Sequence, residues 1–111
     1  MSNIKIPERW TFKDKSVADN FDSHVRETLP WYDIVTGGTA HLARHYIPSG
    51  GVVYDIGAST GNIGRSIEGT LTERGAEFIP IEPSKEMIAL YNGPSASSLI
   101  ASTALEVDYK Q

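Results

Sequence analysis

Apolar positions along the chain fall into two regimes. From Ser16 onward Val17, Phe21, Val25 and Leu29 recur every four residues, which puts them on one face of a helix. Ser16, with Asp19 three residues later, supplies an N-terminal cap for it. Pro30 ends that helix and opens the next. Residues 31–47 form a second helical stretch, with Leu42, Tyr46 and Ile47 on its apolar side and Gly37-Gly38 as an interruption. Pro48-Ser49-Gly50-Gly51 then breaks the pattern. Ahead of all this, residues 1–15 read as an arm with two isolated aromatics, Trp10 and Phe12, and no period.

After Gly51 the character becomes α/β. Val52-Val53-Tyr54-Asp55-Ile56 is a short β-branched run between glycines, the mark of a buried strand. A glycine-bearing turn, 57–61, leads to Ile63, Ile67 and Leu71 on one helical face, and Gly75 supplies the stop. Phe78-Ile79-Pro80-Ile81 reads as a second strand whose proline pushes it toward a sheet edge or an irregular end. Glu82-Pro83-Ser84 turns into a helix carrying Met87, Ile88 and Tyr91, ended by Asn92-Gly93-Pro94. Residues 98–101 form a weaker third strand. The result is an N-terminal helical cap on a βαβαβ unit, half of a doubly wound sheet, with 16–111 as a single domain.

In such sheets ligands bind at the carboxyl ends of the strands, and two candidate groups fall there. The first is Asp55-x-Gly57-x-Ser59-x-Gly61. Gly57 lets the chain turn out of the strand, and Gly61 lets backbone come close to a ligand or to the next helix. The helix that begins near Asn62 aims its free N–H groups over this loop, suited to a ligand carboxylate, while Asp55 answers a ligand ammonium. The second is Glu82, an acid where the second strand ends, a known solution for holding both hydroxyls of a ribose. The plain alternatives are a turn whose glycines serve packing only and a solvated acid beside a helix start. Both groups on one sheet end favour a nucleoside site. A dinucleotide fingerprint needs a glycine at the middle position, where this chain has Ser59, so a nicotinamide cofactor is disfavoured.

Acid-x-Gly-x-(Gly/Ser)-x-Gly is the arrangement of class I S-adenosylmethionine-dependent methyltransferases, and the flanks sharpen the likeness. Trp10-Thr11-Phe12, Val17-Ala18, Phe21, Pro30, Tyr32, Val53-Tyr54-Asp55, Gly57, Ser59, Gly61 and Ser84-x-x-Met87-Ile88 are similar to the carboxy-S-adenosylmethionine synthase branch of that superfamily, which serves wobble-uridine modification in tRNA. The resemblance implies a Rossmann-like methyltransferase half-sheet that lacks the C-terminal strands. It implies S-adenosylmethionine as cofactor. Tyr32 would touch it from the cap, while Gly57, Ala58 and Ser59 would line its methionine part. Glu82 would hold the ribose, Pro83 would border the adenine, and Thr103 falls near the family's adenine partner, usually Asp. Ala58 stands for a frequent Cys and Glu82 for Asp. The family residues that bind the extra carboxylate lie on the half absent here.

Composition removes other possibilities. The chain has 111 residues and no cysteine, and ten Lys and Arg against fourteen Asp and Glu give a net charge of −4. Disulfides, thiolate metal sites and cysteine nucleophiles are excluded, and nucleic-acid contact is not supported by the charge. No apolar run approaches a membrane span, so a soluble, cytoplasmic protein is expected. His41 and His45 at helical spacing lack a third ligand, and no metal site is expected. No general base stands out, so the catalytic residues are left unassigned. The outer edge of strand 52–56 would be exposed, and a homodimer or a partner chain is expected to cover it. The leading function is S-adenosylmethionine binding for methyl transfer, with the acceptor open. The rival is a non-catalytic binding or interaction module that uses the open edge.

Overall fold

The computed structural model describes residues 20, 22–23 and 29–110. The expected arm at 1–15 and most of the first expected helix, with Val17, Phe21 and Val25, lie outside the described residues. Leu29 is 40% exposed and not helical, so it does not continue a buried face.

Helix α1 (Tyr32–Tyr46) runs without a break through Gly37-Gly38. Its buried position is Ala40, joined by Ile47 just past its end and with Ala43 packed alongside, whereas Leu42 and Tyr46 are 61% and 81% exposed. The expected apolar side is therefore corrected for Leu42 and Tyr46 and holds for Ile47. Small residues let α1 lie close against α2, and that turns the two large ones outward.

Strand β1 (Val52–Ile56) leads through the glycine loop to helix α2 (Asn62–Arg74) and on to strand β2 (Glu77–Ile81). The two strands pair in parallel, Val52 beside Glu77 through Ile56 beside Ile81. Val53 and Phe78 share one face of this pair. They pack with Ala40, Ala43 and Ile47 of the cap and with Ile67 and Leu71 of α2. Gly75, at φ 58°, ends α2 in the left-handed conformation that glycine adopts at no steric cost. Helix α3 (Lys85–Leu90) follows, capped by the Ser84 hydroxyl, which accepts from Met87 N–H, and Met87 is buried as expected.

The third strand is reduced to one parallel bridge, Ile81 to Ile100. Ile100 N–H donates to Pro80 O at 2.9 Å, and Glu82 N–H donates to Ile100 O at 3.0 Å. To extend this ladder backwards, residue 98 would need an N–H from residue 80, and proline has none. Ser98 N–H turns instead to Ser95 O at 2.8 Å. So β2 is an edge strand apart from this one bridge, as the proline suggested, and Pro80 limits the pairing on its far side. Among the described residues, no strand pairs with the outer edge of β1. Val52 and Ile56 there are 37% and 58% exposed, while the Tyr109 ring stacks edge-on against Tyr54 at 4.8 Å. No helix among the described residues is long and apolar enough to cross a membrane.

Candidate functional site

The two strand ends are tied together before any ligand arrives. Gly57 N–H and Ala58 N–H both donate to Ile81 O at 2.9 Å, which sets the glycine loop beside Glu82. The carboxylate of Glu82, only 6% exposed, accepts from Ser59 N–H on Oε1 and from Ser84 N–H on Oε2, each at 2.9 Å. A carboxylate has about four lone-pair positions, so each oxygen keeps capacity for a hydroxyl donor. Glu82 thus brackets the loops after β1 and β2.

The glycines of the loop do different work. Gly57, at φ 73°, has open space where a Cβ would stand, so it leaves room above the loop. Gly61, at φ 96°, would place a Cβ 2.7 Å from Gly93 N and 2.8 Å from Gly93 Cα. Its bareness serves the 91–94 turn, not a ligand. Ser59 takes a left-handed φ of 53°, a modest strain for a non-glycine residue. Ala58 is buried beneath the loop and Pro83 is exposed beside it.

Asp55 is the electrostatic centre of the site. Its Oδ2 is buried with no hydrogen-bond partner among the described residues. Burial, and secondly the charge of Glu82, push its carboxyl from about 3.8 up to about 6. An unpaired buried carboxyl oxygen is a position a cationic or hydrogen-bonding ligand would satisfy. Tyr91 is held up at about 12, first by burial and then by the Asp55 charge.

Tyr32 opens α1, and its hydroxyl accepts from Asn62 Nδ2 at 3.2 Å. This links the cap to the head of α2. Thr103 stands apart from the others. It is exposed, and its carbonyl accepts Glu106 N–H at 3.2 Å in a short 3-10 turn. No hydrogen bond ties it to the loops among the described residues.

Periodicity did not mark the network behind the loop. Thr60 Oγ1 donates to both oxygens of Asp22 at 2.9 and 3.1 Å, and Asn62 Nδ2 donates to Asp22 Oδ1 at 3.1 Å. Arg65 donates to Thr60 O at 2.8 Å and to the side-chain oxygens of Asn62 and Asn92. The only sequence signal was the i, i+3 spacing of Asn62 and Arg65 in the first turn of α2. Among the described residues, no three potential metal-ligating side chains gather.

The sequence that forms this strand-loop-helix arrangement is similar to curated proteins named carboxy-S-adenosyl-L-methionine synthase. The chain is 31% identical over 106 residues to a carboxy-S-adenosyl-L-methionine synthase of Staphylococcus epidermidis, covering 94% of the chain and 46% of that protein. The synthase of Shewanella pealeana is 30% identical across 88% of the chain and 40% of its own length. That of Enterobacter sp. is 29% identical across 71% of the chain and 32% of its own length. The chain is a homologue of the carboxy-S-adenosyl-L-methionine synthases, and it spans less than half the length of these relatives. No protein-family model matches it.

Proposed function

We propose that this chain binds S-adenosylmethionine at the carboxyl ends of β1 and β2, as a Rossmann-like half-domain of the methyltransferase superfamily. The observation that carries the reading is the buried Asp55 Oδ2, without a partner among the described residues, beside a Glu82 carboxylate that holds both loops. Glu82 would accept the ribose hydroxyls on its remaining lone pairs. The open space over Gly57 admits the methionine part along Gly57, Ala58 and Ser59, with its ammonium toward Asp55. Pro83 would border the adenine, Tyr32 would close the site from the cap, and Thr103 is a peripheral adenine contact at most.

When bound, the cofactor supplies a methyl group on a sulfonium, open to direct displacement by an acceptor nucleophile. The chain's own residues orient it and exclude water. The buried carboxyls place negative charge beside a cationic ligand, which favours the bound state over the free one. The names of the relatives support this cofactor class. The acceptor is left open. The outer edge of β1 is proposed to be covered by a second chain, in the simplest case a second copy.

Calorimetric titration with S-adenosylmethionine, with NAD as control, tests the reading. Saturable binding lost in Glu82→Ala and Gly57→Arg is the expected result. No binding by a well-folded chain, or equal binding of NAD, would overturn it.

A further inference from the structure

A cavity of about 310 Å³ lies between α1 and α2, walled by Tyr32, Thr36 and Gly37 on one side and by Asn62, Arg65 and Ser66 on the other. That volume is at the small end of ligand pockets. It adjoins the strand-end site at Tyr32 and Asn62 but is built from different chemistry.

Arg65 dominates the cavity. A guanidinium has five N–H donors and stays charged at every accessible pH. Three donors are engaged, on Thr60 O, Asn62 Oδ1 and Asn92 Oδ1, so two remain. All three acceptors are neutral, and no carboxylate pairs with Arg65 among the described residues. The two remaining donors meet no carboxylate among the described residues, which leaves them open to a ligand anion. Thr36 points the same way. On the same helix Thr39 Oγ1 donates to Val35 O at 2.9 Å, but the Thr36 hydroxyl has no partner among the described residues. The Tyr32 hydroxyl accepts from Asn62 and its own hydrogen has no acceptor among them either. The cavity therefore gathers spare donors around one fixed cation.

We infer that this cleft between the helices binds a small organic monocarboxylate, paired to Arg65 and hydrogen-bonded by Thr36 and Tyr32. A carboxylate offers two oxygens to the two remaining guanidinium donors, the pairing arginine favours. A single negative charge is the match. Asp33 also lines the cavity and already has an interaction of its own, and Asp22 bonds to Asn62 behind it. A second negative charge on the ligand would face those acids. The Tyr32 ring and the bare backbone at Gly37, where a Cβ would meet nothing within 4 Å, leave room for the organic body. The inference does not depend on the cofactor reading.

The test is titration of the full chain with benzoate, followed by backbone amide NMR shifts, with inorganic phosphate as comparison. Gly37→Leu would fill the cavity while favouring the helix, so it blocks binding without endangering the fold. Gly69→Ala, on an exposed part of α2 with open space around it, is the control. Saturable benzoate binding is expected, with shifts at Thr36, Gly37 and Arg65. Affinity should fall at least tenfold in Gly37→Leu and in Arg65→Gln and stay unchanged in Gly69→Ala. No saturation, phosphate binding more tightly than benzoate, or full binding by Gly37→Leu would each overturn the inference.

Discussion

Ser59 N–H donates to Glu82 Oε1 at 2.9 Å across 23 residues of chain. The acid proposed to hold the ligand on one strand end thereby also holds the loop that follows the other. Affinity and stability are joined in one side chain. Glu82→Gln keeps the shape but turns an amide N–H₂ against one of the two backbone donors. Leaving such a buried donor unsatisfied costs about 1–3 kcal/mol. Urea denaturation should show that loss, and S-adenosylmethionine binding should weaken with it.

The raised Asp55 carboxyl makes a signed prediction about pH. Its folded value of about 6 lies above the unfolded value near 3.8, so the folded state holds the proton more tightly. Its contribution to stability is fully present below about 3.8 and is lost as pH rises through about 6. Asp55→Asn should abolish that fall and give a higher melting temperature than the parent at pH 7.5. A cationic ligand prefers the ionised carboxylate, so S-adenosylmethionine affinity of the parent should increase as pH rises through 6. Melting curves and calorimetry between pH 4 and 8 read both.

The two loop glycines should separate stability from binding. Gly61→Ala meets backbone and a positive φ together, and strain of that kind costs on the order of 1–3 kcal/mol or more. Gly57→Ala meets open space and carries only the left-handed penalty, about 1–2 kcal/mol. Gly57→Arg should fold nearly as well as Gly57→Ala yet lose the cofactor. Chemical denaturation beside a binding titration distinguishes the two positions.

Arg74 fastens the end of the cap. Its guanidinium donates to Ile47 O at 2.7 Å and to Arg44 O, the carbonyls that the end of α1 leaves open. Arg74→Met keeps the aliphatic stem but removes both bonds. A loss of about 1–2 kcal/mol is expected, read by denaturation, with amide exchange accelerating first at the C-terminal turn of α1.

Coverage of the β1 edge is tested by sedimentation. Concentration-dependent association is expected for the parent chain. Ile56→Lys places a charge on the 58% exposed edge residue, the device natural edges use against pairing, and should shift the chain toward monomer.

The sequence by itself determined the local elements around the site. Glycines at the strand ends, the β-branched run of β1, apolar spacing of about 3.6 in α2, and the Gly75 stop are short-range signals. They act through backbone geometry that neighbours in sequence settle. Asp55, Gly57, Ser59 and Glu82 were legible for the same reason, since parallel strands bring their carboxyl ends together. The tertiary structure decided what depends on contacts between distant segments. Leu42 and Tyr46 face outward because Ala40, Ala43 and Ile47 take the side that packs against α2 and Phe78. The third strand does not reach back from Ile100 to Ser98 because Pro80 has no N–H to offer. The hold of Arg65 on Thr60 and Asn92, and of Glu82 on Ser59, joins loops that meet only when two strands pair. Periodicity reports which way a side chain faces; only the packed fold says what it meets there.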